Sequence, residues 1–265
     1  MKRLVREALS PNHNARPPGA DIELVVVHFT GMETAAAALR ELTQLGSGVS
    51  AHWMIDEDGT IYRLVPEDRR AWHAGLGSWH DWHDVNAVSV GIELVNPGHD
   101  HGYRSFPDDQ IDALEDLLAD TFKFHGLRPR DLIGHSDVAP ERKQDPGELF
   151  PWERLARTGF SIWPEEVVEY PDGGLGVMDD AEDFIRDEES RSEFGLDSIS
   201  LRESVLELQE NLRTIGYGIE INGIFGSQTE AVVAAFQRRF RPGAVNGYAD
   251  SETRALIQAV AQISQ

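Results

Sequence analysis

The chain has 265 residues, 40% of them hydrophobic and 26% charged, a length and composition suited to one or two soluble globular domains. Acidic residues outnumber basic ones 46 to 24, giving a net charge of −22, and a field of that sign repels nucleic-acid phosphate and anionic membrane surfaces alike. There is no cysteine, which excludes disulfides, thiolate metal ligands and cysteine nucleophiles.

No apolar run approaches the ~18 residues needed to span a bilayer. Residues 1–7 start basic, as a signal peptide would, but Arg6, Glu7, Asn12, His13 and Asn14 interrupt the apolar stretch that should follow. A cytoplasmic location is the expectation, with the periplasm as the alternative, and a monomer is expected.

Three regions are expected: a chemistry-bearing domain over 1–164, an acidic linker over 165–197 and a helical domain over 198–265. All ten histidines lie between His13 and His135, so histidine chemistry belongs to the first region. Thirteen acidic residues against two arginines leave eleven net negative charges between Glu165 and Asp197, half the total of the chain. Such a stretch reads as a solvated connector, with room for a short helix around 181–189.

In the first region, strand and helix signals alternate. Leu24-Val25-Val26-Val27-His28 suits a strand covered on both faces. Residues 34–45 read as a helix ending at Gly46. Strands over 49–55 and 60–65 flank Asp56-Glu57-Asp58-Gly59, a hairpin signal. Another buried strand is expected over 88–95. Residues 107–125 place Ile111, Leu114, Leu117, Leu118 and Phe122 on one helical face and stop at Gly126. A last short strand covers 131–135. The mixture predicts an α/β fold, a mixed β-sheet with packed helices.

The third region reads as all-α, three helices with apolar faces at Val205, Leu208, Leu212 and Ile215, at Val232, Val233, Phe236 and Phe240, and at Leu256, Ile257 and Val260. An internal repeat joins them: Asn222-Gly223-x-x-x-Ser227-x-Thr229 recurs 24 residues later as Asn246-Gly247-x-x-x-Ser251-x-Thr253. Each Asn-Gly predicts a tight turn followed by a small polar cap on the next helix, and Ser227 with Glu230 fits a capping box. No titratable cluster lies here, which predicts a binding or structural module.

Without cysteine, a catalytic zinc would need three ligands drawn from His, Asp and Glu. His28 ends a buried strand, and its imidazole should emerge at the carboxyl edge of the sheet, either as a ligand or as a packed residue. The loop from Gly134-His135 to Lys143-Gln144-Asp145-Pro146-Gly147 is stiffened by prolines, so His135 and Asp145 could face His28 in a two-histidine, one-carboxylate site. Asp137, Glu141 and Arg142 in the same loop read as surface charge. Glu93, in an otherwise apolar strand, is expensive to bury unless paired or protonated; it reads as a general base or as a structural partner. Lys143 could stabilise an oxyanion there. His80-Asp81-Trp82-His83 and His99-Asp100-His101 lie in polar loops and read as solvated or substrate-edge groups. Trp72, Trp79 and Trp82 offer aromatic surface to sugars or peptides, or cap the core.

Taken together and in order, Val27-His28-Phe29-Thr30, Ser50-Ala51-His52-Trp53, Ala71-Trp72-His73-Ala74-Gly75, Gly91-Ile92-Glu93 and Gly134-His135 with Lys143-x-Asp145-Pro146-Gly147 resemble the zinc-dependent N-acetylmuramoyl-L-alanine amidases, relatives of phage amidases and of animal peptidoglycan recognition proteins. The resemblance covers about residues 20–160. Phe150-Pro151-Trp152, Trp163-Pro164 and the terminal helices are similar to a two-domain Gram-negative branch with a three-helix peptidoglycan-binding module. The resemblance implies one Zn2+ per chain held by His28, His135 and Asp145, Glu93 as base and Lys143 at the oxyanion. It also implies Trp72, His73 and Asn86 as substrate contacts and peptidoglycan or muropeptides as the partner. The implied reaction is hydrolysis of the amide between N-acetylmuramic acid, or its 1,6-anhydro form, and L-alanine of the stem peptide. A non-catalytic recognition protein of the same fold is the alternative. Trp53 departs from the pattern, since many relatives carry tyrosine there.

Overall fold

A computed structural model describes residues 4–165, 167, 174–175 and 198–265. The chain divides into two compact units, Met1–Ile162 and Trp163–Gln265. Most of the acidic segment 165–197, including the helix expected at 181–189, lies outside the described residues. Within that segment Leu175 is buried and bridges to Ala249, so at this point the connector is docked on the second unit rather than solvated.

The first unit is built on a six-stranded mixed sheet of order β1-β5-β4-β7-β3-β8. Its strands are β1 (Val5–Glu7), β3 (Leu24–Phe29), β4 (Trp53–Ile55), β5 (Ile61–Arg63), β7 (Ser89–Leu94) and β8 (Leu132–Gly134), while β2 (His13–Ala15) and β6 (Arg69–Ala71) form a separate antiparallel ribbon. β3 runs parallel to β7 and to β8, and β7 runs parallel to β4. Parallel strands need cover on both faces, which is why Val25, Val26 and Val27 are fully buried without alternation. The hairpin at Asp56–Gly59 forms as expected, with Met54 opposite Tyr62.

Helix α1 (Ala35–Thr43) begins where the Thr34 side chain accepts a hydrogen bond from the Ala37 N–H, and its Ala38 and Leu42 pack with Ala51, Met54, Leu64 and Val95. Between β6 and β7 lies α2 (Val85–Val88), a single turn. Helix α3 (Asp108–His125) buries the expected apolar face and stops at Gly126, whose φ of 72° is the left-handed conformation that ends many helices. It also buries Gln110, whose amide donates to the carbonyls of Ile55 and Val95. Short helices α4 (His135–Val138) and α5 (Trp152–Arg157) complete the unit.

Four strand expectations shorten: 49–55 to 53–55, 60–65 to 61–63, 88–95 to 89–94, and 131–135 to 132–134, the last because His135 opens α4.

The second unit contains α6 (Ser198–Ile215), α7 (Ser227–Phe240) and α8 (Ser251–Ile263), and the three expected apolar faces are buried. The physical basis of the repeat is a pair of buried glutamines. Gln209 donates to Asn222 Oδ1, the Ile224 carbonyl and Thr229 Oγ1, while its Oε1 accepts from the N–H groups of Asn222 and Gly223. Gln237 repeats this with Asn246 Oδ1, the Tyr248 carbonyl and Thr253 Oγ1, and with the N–H groups of Asn246 and Gly247.

The expected caps shift by one residue. Ser227 and Ser251 are the first helical residues, not caps; Gly226 occupies the cap of α7 with no side chain to offer, so the Ser227–Glu230 capping box does not form. Asp250 caps α8 by accepting from the Thr253 N–H.

Replacing Gln237 by Ala leaves buried donors and acceptors of the second turn without partners, so the full chain should lose at least ~2 kcal/mol from the unfolding transition of its second unit in denaturant titration. The exposed Gln262→Ala change should stay within ~0.5 kcal/mol.

Candidate active site

The parallel strands β3, β7 and β8 deliver the chemistry to their carboxyl edge. His28 on β3 stands in register with Glu93 on β7, and β8 runs straight into His135 at the first position of α4. Asp145 arrives from the loop beyond α4, held by the Ser136 N–H donating to the Asp145 carbonyl at 2.8 Å. His28, His135 and Asp145 are all buried and form a group able to hold a metal ion.

Three atoms converge. His28 Nδ1 lies 3.0 Å from His135 Nδ1 and 2.9 Å from Asp145 Oδ2, and His135 Nδ1 lies 3.0 Å from the same oxygen. The far nitrogen of His135 donates to the Ala74 carbonyl at 2.9 Å, so in the neutral ring the lone pair sits on Nδ1, facing the group. Burial, followed by the charge of His135, pushes the His28 imidazole down to about 4 against the pull of Asp145. Burial likewise lowers His52 to about 3 and His73 well below the usual histidine range. At neutral pH these three rings are neutral, the form in which an imidazole offers a lone pair.

Glu93 is the opposite case. Its Oε2 is enclosed and has no hydrogen-bond partner. Burial, reinforced by the negative charge of Asp145 and opposed by Lys143, raises its pKa well above the ordinary value. Lys143 is partly exposed, and its charge acts on both Glu93 and His28, so the lysine belongs to the same electrostatic site.

Trp72 keeps a partly exposed ring, with its indole N–H donating to Asn14. His73 and Asn86, expected at the substrate, are buried and spend their polar atoms inside the protein. Asn86 Oδ1 accepts from the N–H groups of His73 and Ala74, and the His73 ring sits against His28.

The sequence reading of Asp137 as surface charge is corrected: Asp137 is buried and accepts from the Gly134 N–H at 2.9 Å. Arg142 is exposed as expected, and its guanidinium donates to the carbonyls of Ala74 and Leu76. Glu141 is exposed as expected. His99 pairs with Glu148 and packs on Tyr103. Tyr103 itself was missed: its hydroxyl donates to the Pro146 carbonyl and accepts from the Leu149 N–H, clamping the loop that carries Asp145. An isolated tyrosine in a polar loop gives no sequence signal of that job.

Residues 18–148 match the N-acetylmuramoyl-L-alanine amidase family, and residues 202–257 match the peptidoglycan binding domain family. The N-acetylmuramoyl-L-alanine amidase AmiD of Escherichia coli K12 is 32% identical over 252 residues, 90% of this chain and 82% of that protein. The 1,6-anhydro-N-acetylmuramyl-L-alanine amidase AmpD of the same organism is 34% identical over 170 residues, 57% of this chain and 89% of its own. The structure of AmiD in complex with anhydro-N-acetylmuramic acid-L-Ala-D-gamma-Glu-L-Lys superposes with a TM-score of 0.71 at 29% identity, covering 94% of this chain and 92% of that one. The crystal structure of AmpDH3 from Pseudomonas aeruginosa gives 0.71 at 28% identity over 96% of each chain. Similarity of that extent, over both units and around a His-His-Asp group at a sheet edge, makes the chain a member of the N-acetylmuramoyl-L-alanine amidase family.

Proposed function

We propose that the chain hydrolyses the amide between N-acetylmuramic acid, or its 1,6-anhydro form, and L-alanine of the stem peptide, with zinc held by His28, His135 and Asp145. The observation that carries the reading is the enclosed, unpartnered Glu93 Oε2 beside three converging donor atoms. A buried carboxylate oxygen without a partner is costly, and such groups persist where chemistry uses them. The donor set fits zinc: two imidazoles and one carboxylate, with no thiolate needed. The bound ligand of the AmiD structure, an anhydromuramyl tripeptide, supports the substrate class.

A bound zinc ion supplies Lewis acidity and lowers the pKa of water that it holds towards ~7. Glu93 takes a proton from the attacking water as the oxygen adds to the lactyl carbonyl carbon. The same carboxyl then returns the proton to the departing nitrogen as the C–N bond breaks, releasing L-alanine as a free amine on the stem peptide. The Lys143 ammonium faces the negative charge that develops on the carbonyl oxygen. The raised pKa of Glu93 suits this exchange, because the group passes between acid and base in one turnover. Trp72 offers an apolar face at the rim for the sugar or peptide. His73 and Asn86 support the site from within.

Three outcomes test these assignments. His28→Ala should abolish stoichiometric zinc, read by elemental analysis after dialysis, and full occupancy would contradict the ligand set. Glu93→Gln should keep the metal and lose about 10²–10⁴-fold in amine release from anhydromuramyl tripeptide; near-normal turnover would reject the base. The third concerns stability. Between the ordinary Glu value of about 4.3 and the raised value of Glu93, the folded chain holds a proton that the unfolded chain has released. Stability of the metal-free protein therefore falls as pH climbs through that interval. Thermal unfolding in chelator should show Glu93→Gln equal to wild type near pH 4 and more stable at pH 8. Equal midpoints at both pH values would mean that burial does not perturb this carboxyl.

A further inference from the structure

His73 is two residues beyond the ribbon strand β6 and contributes no atom to the metal-ligand group, yet its ring is buried between His28, His52 and Ser89. Its Nδ1 lies 3.0 Å from His28 Nε2 and its Nε2 lies 3.2 Å from Ser89 Oγ. The direction of every proton in this row follows from its far end. Ser89 Oγ donates to the Val85 carbonyl at 2.6 Å, which uses the only hydrogen of the hydroxyl. Ser89 Oγ can then only accept from His73, so the His73 proton sits on Nε2. His73 Nδ1 is left with a lone pair, which accepts from His28 Nε2–H. His28 Nδ1, aimed at His135 and Asp145, therefore carries no proton.

We infer that His73 is a positioning residue that sets the tautomer of His28, through the row Val85 carbonyl, Ser89, His73, His28, so that the His28 lone pair faces the metal position. The inference rests on the zinc reading above and deepens it. Metal-bound histidines generally donate their other N–H to a fixed acceptor, and here the acceptor is a second imidazole whose own proton is fixed by a serine.

An independent observation shows that the sequence makes room for this ring. A Cβ on Gly91 of β7 would lie 2.4 Å from His73 Cγ and 2.7 Å from its Nδ1. Any side chain at position 91 would drive the ring off His28. The backbone of the same segment is pinned as well, by Asn86 Oδ1 accepting from the N–H groups of His73 and Ala74.

The test uses the full chain and zinc ion alone, by competition with a coloured chelator. Wild type should bind one zinc. His73→Phe keeps the bulk but offers no acceptor, and should weaken zinc by about 10–100-fold. In His73→Asn an amide oxygen can take the place of Nδ1, and this variant should recover most of that loss. Ser89→Ala frees the proton of His73 and should lose affinity in the same direction but by less. Nitrogen NMR of histidine-labelled wild type should find His73 protonated on Nε2 alone, metal-free and zinc-loaded. If His73→Phe fails to fold, the asparagine and alanine variants and the NMR still decide. Wild-type affinity in His73→Phe, or a proton on His73 Nδ1, overturns the relay while leaving the zinc reading standing. Failure of wild type to bind zinc overturns both.

Discussion

The structure of the first unit depends on keeping protons away from one point. Three atoms, His28 Nδ1, His135 Nδ1 and Asp145 Oδ2, are packed within 3.0 Å of one another in a buried pocket. As lone pairs they repel, and only a cation among them turns that repulsion into binding. Every ring proton must therefore be held on the far side. The segment His73–Ala74 does this for both imidazoles, with the His73 ring on His28 and the Ala74 carbonyl on His135. Asn86 and Ser89, at and just beyond α2, fix that segment in turn. One short turn of helix thus reaches both imidazoles through that segment.

Strand glycines are the steric counterpart of this arrangement. Gly91 yields space to the His73 ring, and at Gly134 a Cβ would lie 2.8 Å from Pro146 Cδ, so the loop bearing Asp145 can lie against β8. A glycine inside a buried strand costs about 0.5–1 kcal/mol in chain entropy and loses the packing of a side chain. Here that loss is offset by letting the His73 ring and the loop of Asp145 lie against the sheet edge. Glu93 adds a larger cost, an enclosed carboxyl next to the charge of Asp145. Ion binding repays it through mass action, since a cation that binds only the folded state stabilises it. The apo fold is left weaker at the place where the loaded enzyme works.

Legibility in the sequence followed the range of the interaction. His28, Glu93, the valine strand and α3 stood out because burial on two faces or one helical stripe imposes a pattern within a few residues. Strands β1, β2 and β6 are three residues each, and β1 and β2 are mostly exposed, so no alternation could reveal them; partner edges select them. Asp137 was misread for a related reason. Its partner is the backbone N–H of Gly134, three residues back, and a backbone donor leaves no letter in the sequence. The same holds for the Ala74 carbonyl under His135. The site roles of His135, Lys143 and Asp145 were suggested by a stiff loop, but their meeting with His28 is set by strand order, which a single chain does not spell out.

The second unit shows what a completed polar network looks like, and the contrast identifies the working end of the first. Gln209 and Gln237 are buried amides whose nitrogen and oxygen both have partners, each closing an Asn-Gly turn onto the preceding helix. Such a network specifies one packing and has no valence left for a ligand. In the first unit the rows of hydrogen bonds are just as ordered, but each stops one atom short. His28, His135 and Asp145 end in lone pairs that face one another, and Glu93 ends in an oxygen with no donor. A polar network whose ends meet as lone pairs at one point gains stability from a cation bound there, which is the physical difference between a scaffold and a site.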